Sequence, residues 1–74
     1  MDFNEKLREY RTQSGLSQGK LAETLNVSRQ AITKWESGNG MPDISNLKAL
    51  SGVFNVSVDE LLSEEAVKPQ RHWI

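Results

Sequence analysis

The chain has 74 residues, no cysteine, and nine Lys and Arg against ten Asp and Glu, for a net charge of −1. That length holds one small domain, and the missing cysteines exclude a disulfide framework and a thiolate metal site, so well-packed helices must supply the stability. The charge balance excludes an indiscriminate polycation; no apolar run approaches the ~20 residues of a membrane span and no secretory signal opens the chain, so the expectation is a cytoplasmic protein without a membrane segment.

Phe3, Leu7 and Tyr10 recur at helical spacing, which predicts a first helix from about Asn4 to Ser14, with Lys6, Arg8, Glu9 and Thr12 facing water and Gly15 ending it. A short pattern then occurs three times, at Leu16-Ser17 to Leu21, Val27-Ser28 to Ile32 and Val56-Ser57 to Leu61. Each copy has an apolar residue, a serine, three variable residues and a second apolar residue. This is the hydrophobic staple, in which the residue before the cap packs on the fourth helical residue. The third copy adds a capping box, Ser57 with Glu60. The second helix should run from Gln18 to about Leu25, with Leu21, Ala22 and Leu25 inward. Gly19, near its start, is expected at an exposed and weakly constrained position. Asn26 and Val27 leave room only for a tight turn before Ser28, so the second and third helices form a helix-turn-helix.

The third helix is capped by Ser28 and stopped by Gly38. At ~100° per residue, Arg29, Gln30, Thr33 and Lys34 share an arc of roughly 140°, while Ala31, Ile32 and Trp35 lie opposite. Trp35 is therefore core rather than a stacking platform. The four outward residue types suit nucleic acid. Arg forks onto guanine, Gln pairs with adenine, Thr can hydrogen-bond or touch a thymine methyl, and Lys neutralises phosphate. An ordinary solvated helix face would also look polar. From Arg29 to Lys34 there are two basic residues and no acid, and the acids gather elsewhere, which predicts one basic face.

After the loop from Asn39 to Pro42, Asp43 can cap a fourth helix with Ile44, Leu47, Leu50, Val53 and Phe54 inward and Asn55 at its end. A short fifth helix, about Val58 to Ser63, should bury Leu61 and Leu62. These signals divide the chain into a folded unit, residues 1–63, and a C-terminal extension, residues 64–74, expected to be mobile because no period is sustained and Pro69 interrupts it; Trp73-Ile74 at its end read either as an apolar docking point for a protein partner or as the place where a longer protein was cut.

Leu16-Ser17-Gln18, Leu21-Ala22, Leu25, Val27-Ser28, Ile32, Trp35-Glu36-Ser37-Gly38, Pro42, Leu47, Leu50, Phe54-Asn55-Val56-Ser57 and Asp59-Glu60-Leu61-Leu62 follow one another in an order that resembles a known family. The chain is similar, from about Phe3 to Leu62, to helix-turn-helix domains of the phage-repressor/Cro type, also called the xenobiotic-response-element family. The resemblance implies an all-α, compact, lambda-repressor-like bundle of five helices that binds double-stranded, roughly palindromic operator DNA, usually as a homodimer. It implies that the third helix enters the major groove. By position, Gln18 takes the role of a phosphate contact that can brace a helix-three side chain, and Ser28 caps the helix and reaches a phosphate. Arg29, Gln30 and Lys34 take the base-reading positions with Thr33 beside them, and Asn39 lies in a loop that commonly touches the backbone. It also implies that Arg11 and Glu36 form a partly buried structural ion pair. Gly19 departs from the family, which has an acidic or small polar residue there.

The reading is a transcriptional regulator, a repressor, without enzymatic activity, cofactor or metal. His72 is the only histidine and has no partner at ligand spacing. The serines read as caps, since no triad arrangement surrounds them. Gly38 and Gly40 lack the Lys-Ser/Thr of a phosphate loop. A competing class is a protein-interaction module of the same fold, such as an antitoxin whose tail wraps a toxin. A ligand pocket is not expected in a domain this small.

Overall fold

A computed structural model describes residues 1–65. They form α1 (Phe3–Gln13), α2 (Gln18–Leu25), α3 (Arg29–Ser37), α4 (Ile44–Phe54) and α5 (Val58–Leu62), with no strand among the described residues. The expectations for Trp73-Ile74 and His72 lie outside the described residues.

Four of the five starts are set by a side chain that accepts from an otherwise unpaired amide of the first turn. Ser17 accepts from the Lys20 amide, Ser28 from Ala31, Asp43 from Asn46 and Ser57 from Glu60. At the three serine caps the staple residues Leu21, Ile32 and Leu61 are fully buried, and Leu16, Val27 and Val56 pack against the same core. The ends are equally explicit: Asn26, Gly38 and Asn55 adopt the left-handed conformation and close α2, α3 and α4.

The core joins Leu7 and Tyr10 of α1, Leu21 and Ala22 of α2, Ile32 and Trp35 of α3, Leu50 and Phe54 of α4 and Leu61 of α5. Helix α3 packs on α1 and α2, while α5 packs on α1 and α4. Tyr10 stacks on Phe54, with ring centroids 5.4 Å apart.

Three side chains depart from the helical-wheel expectation. Lys6 does not face water: it is fully buried, its Nζ donating to the Ser63 carbonyl at 3.1 Å and lying 3.6 Å from Glu60 Oε1. The chain leaving α5 crosses α1 at this point, so the apolar stem of the lysine is covered and its charge is met by groups 54 and more residues away in sequence. Ile44, the first residue of α4, is 61% exposed, because the first turn projects beyond the bundle. Leu62 is 47% exposed, because α5 ends there and Leu61 alone reaches the core.

The Glu60 carboxylate also does not complete a capping box. It accepts instead from the Tyr10 hydroxyl at 3.3 Å. Burial, then the Glu60 charge and this hydrogen bond, push the Tyr10 phenol up to about 12.

Candidate nucleic-acid interface

Helix α3 divides into two sides. Ile32, Trp35 and Glu36 are buried, whereas Arg29, Gln30, Thr33 and Lys34 are exposed. Among the described residues, the side chains of Arg29, Gln30 and Lys34 make no hydrogen bond or ion pair, so their donors and acceptors are open to an outside partner. Ser28 stands at the amino end of this surface, its Oγ accepting from the Ala31 amide at 3.2 Å. Asn39 is exposed past the carboxyl end, where its Nδ2 donates to Ser37 Oγ at 3.1 Å. The outward quartet thus forms a rigid polar strip with two cations and an exposed helix amino terminus, a combination that suits an anionic ligand with patterned hydrogen-bonding edges.

A polar network beneath this strip fixes its orientation. Glu36 is 3% exposed, and its carboxylate receives both Nε and Nη2 of Arg11, at 2.6 and 3.1 Å. Arg11 spends its remaining Nη1 donor on the Leu16 carbonyl at 2.8 Å, just before α2. Gln18 Nε2 donates to Glu36 Oε1 at 3.1 Å, and Gln18 Oε1 accepts from Thr33 Oγ1 at 3.3 Å. Helices α1, α2 and α3 are therefore tied together through one carboxylate, and no buried side-chain polar atom among the described residues is left without a partner.

The sequence pairs Arg11 with Glu36 and gives Gln18 a bracing role toward helix three; the structure forms that pair and adds Gln18 to the same carboxylate. Sequence reasoning overlooked Arg8, whose Nε lies 3.8 Å from Glu36 Oε1 while its side chain is 59% exposed. The signal was available: Arg8 and Arg11 are three apart on α1 and so share a face. Gly19 is exposed, and a Cβ there would meet only Ser17 Oγ, at 4.0 Å. An open surface cleft of about 270 Å³ is lined by Phe3, Asn4, Trp35, Gly38, Gly40 and Met41. It adjoins the carboxyl end of α3, the opposite end from Arg29. No helix among the described residues is long and apolar enough to cross a membrane.

Comparison with known proteins places this arrangement. Residues 7–61 match the sequence model of a helix-turn-helix family. The chain is 57% identical over 65 residues to the HTH-type transcriptional activator BcrR of Enterococcus faecalis, covering 88% of this chain and 32% of that protein. It spans about half the length of several other curated relatives. Among solved structures it is similar to the P22 c2 repressor in complex with a synthetic operator, with a TM-score of 0.82 and 32% identity over 88% of this chain and 98% of that one. It is also similar to a chain of the SinR/SinI protein complex, with a TM-score of 0.78 and 32% identity over 84% of this chain and 61% of that one.

Proposed function

The chain belongs to the helix-turn-helix family of the phage-repressor/Cro type, and from that premise we propose that it binds double-stranded DNA sequence-specifically, with α3 in the major groove, and regulates transcription. The observation that carries this reading is the exposed strip of Arg29, Gln30, Thr33 and Lys34 on a helix whose opposite side is locked by Glu36. Phosphate neutralisation and helix amino-terminal amides, with Gln18, Ser28 and Asn39 at the edges, supply affinity. Arg29, Gln30 and Lys34 supply specificity. Repression needs only occupancy of the operator, which this surface can provide. The folded unit is residues 1–63. It acts as a cytoplasmic homodimer whose two recognition helices sit about 34 Å apart, one turn of DNA, on a roughly palindromic site.

The similarity to a chain of the SinR/SinI complex supports a second role, binding of a protein partner, and the segment we propose for it is residues 64–74. Deleting that segment separates the roles, because DNA affinity is retained and the partner is lost.

The test is fluorescence anisotropy of a labelled duplex selected from random DNA, over a salt series. The expected result is affinity that falls steeply with salt, and an Arg29→Ala/Gln30→Ala variant that loses site preference but keeps weak non-specific binding. Failure of the unaltered protein to bind any duplex at low salt overturns the DNA reading.

A further inference from the structure

The chemistry by which Thr33 can read a base is fixed by the residues beneath it. Glu36 is buried against Arg11, and an ionised carboxylate only accepts. The Gln18 amide must therefore turn its nitrogen toward Glu36, as the 3.1 Å contact shows, and its oxygen away. That oxygen lies 3.3 Å from Thr33 Oγ1. The other neighbour of Thr33 Oγ1 is the Arg29 carbonyl of the preceding turn, at 3.2 Å. Both neighbours are acceptors with no proton to give, so the single hydroxyl proton of Thr33 is directed inward. It is not available to the acceptor edges of guanine, adenine or thymine.

The γ-methyl is left outside. In a staggered side chain it sits about 120° from Oγ1 around the Cα–Cβ bond. With Oγ1 turned toward α2 and the preceding turn, staggering directs the methyl away from both acceptors, on an exposed residue that shares the outward side of α3 with Arg29 and Lys34. The one major-groove feature that rewards a methyl contact is the C5-methyl of thymine.

We propose that Thr33 is a specificity-determining residue that selects thymine through its γ-methyl, while its hydroxyl serves as the outer end of the Arg11–Glu36–Gln18 network. The proposal rests on the DNA-binding reading above and adds the chemical identity of one operator position. Threonine is then required for two separable reasons: the oxygen orders the side chain and the carbon reads the base.

The experiment starts from a duplex that the unaltered protein selects from random DNA. Each thymine is replaced in turn by deoxyuridine, which deletes only the C5-methyl. Binding is measured for the unaltered protein, Thr33→Ser and Thr33→Val. The expected result is one thymine per half-site at which deoxyuridine weakens the unaltered protein by roughly fourfold, the value of one buried methyl-sized group. Thr33→Val retains that penalty, because it keeps the methyl, and Thr33→Ser loses it. If Thr33→Ser retains the full penalty at every thymine, or if no thymine shows one, the proposal is wrong. If serine preserves the preference and valine abolishes it, the oxygen is the reader and the proposal is likewise overturned. If the unaltered protein selects no duplex at all, the DNA-binding reading itself has failed, an outcome distinct from the others, and the assignment to Thr33 falls with it.

Discussion

Removing Arg11 should test the network that sets the pitch of α3. Arg11 is 14% exposed and Glu36 3% exposed, and they share two hydrogen bonds, so the pair is largely out of water. Breaking a buried pair from one side costs about 3–5 kcal/mol, most of it from the stranded charge. Here the stranded Glu36 keeps the Gln18 amide, and Arg8, already 3.8 Å away, can swing closer. The expected cost of Arg11→Ala is accordingly reduced to about 2–3 kcal/mol. A chain of this size is stable by roughly 4–11 kcal/mol in total, so the variant should remain folded in water. With a urea m-value of about 1 kcal/mol/M, the unfolding midpoint should fall by about 2–3 M, read by far-ultraviolet circular dichroism. A companion variant, Arg11→Met/Glu36→Leu, removes both charges and should lie closer to the unaltered protein than Arg11→Ala does. A shift below about 0.5 M for Arg11→Ala would place the pair among weak surface bridges and refute the reasoning.

Three further outcomes follow from local geometry. Ser28→Ala should cost about 1 kcal/mol in urea unfolding, because the Ala31 amide loses its acceptor at the start of α3. Gly19→Ala should stabilise by up to ~1 kcal/mol and raise the melting temperature, since the position is helical and exposed and no atom lies nearer than 4.0 Å to the new methyl. Tyr10 is the only tyrosine, so phenolate absorbance reports on it alone. Its folded value of about 12 lies above the ordinary 10.0 of a free phenol, so its stabilisation is fully present below pH 10 and is lost as pH rises through 12. The titration midpoint should drop toward 10 in denaturant, and Tyr10→Phe should soften the alkaline loss of stability across that window; a native midpoint near 10 would contradict the burial argument.

What the sequence revealed and concealed follows from the range of each interaction. Caps, staples and left-handed terminators act within about six residues, so the helix starts after Ser17, Ser28, Asp43 and Ser57 were readable with nothing else in hand. The all-helical fold class was readable for the same reason. The two sides of α3 were also readable, because a nine-residue helix has one period and Ile32 and Trp35 mark its buried side. Burial at the rim of the bundle was not. A helical wheel assumes that every position on the apolar arc meets a neighbour, yet Ile44 and Leu62 lie at helix ends where none is present. Lys6 fails in the opposite sense: its solvent arc is covered by Ser63, a contact spanning 57 residues that no local period encodes. Glu60 illustrates a competition between ranges. The local rule assigns it to the α5 cap, but the buried Tyr10 hydroxyl and the Lys6 ammonium claim its carboxylate.

The covered lysine and the Arg11 pair together define what α1 contributes. Lys6 and Tyr10 lie four apart and engage Glu60 and Ser63 on the α5 side. Arg8 and Arg11 lie three apart, on the far side of the same helix, and face Glu36 of α3. At ~100° per residue the two polar stripes are centred about 150° apart, with Leu7 between them directed into the core. Helix α1 is therefore a strut with a charged grip along each side, one holding α3 and the other holding α5 and the chain that leaves it. Apolar packing alone tolerates small rotations of a helix in its groove, whereas a bidentate Arg–carboxylate pair does so only by breaking hydrogen bonds. The orientation of the outward strip on α3 is consequently fixed relative to α5 through one eleven-residue helix, and a homodimer built through α5 would hold its two strips at a defined spacing.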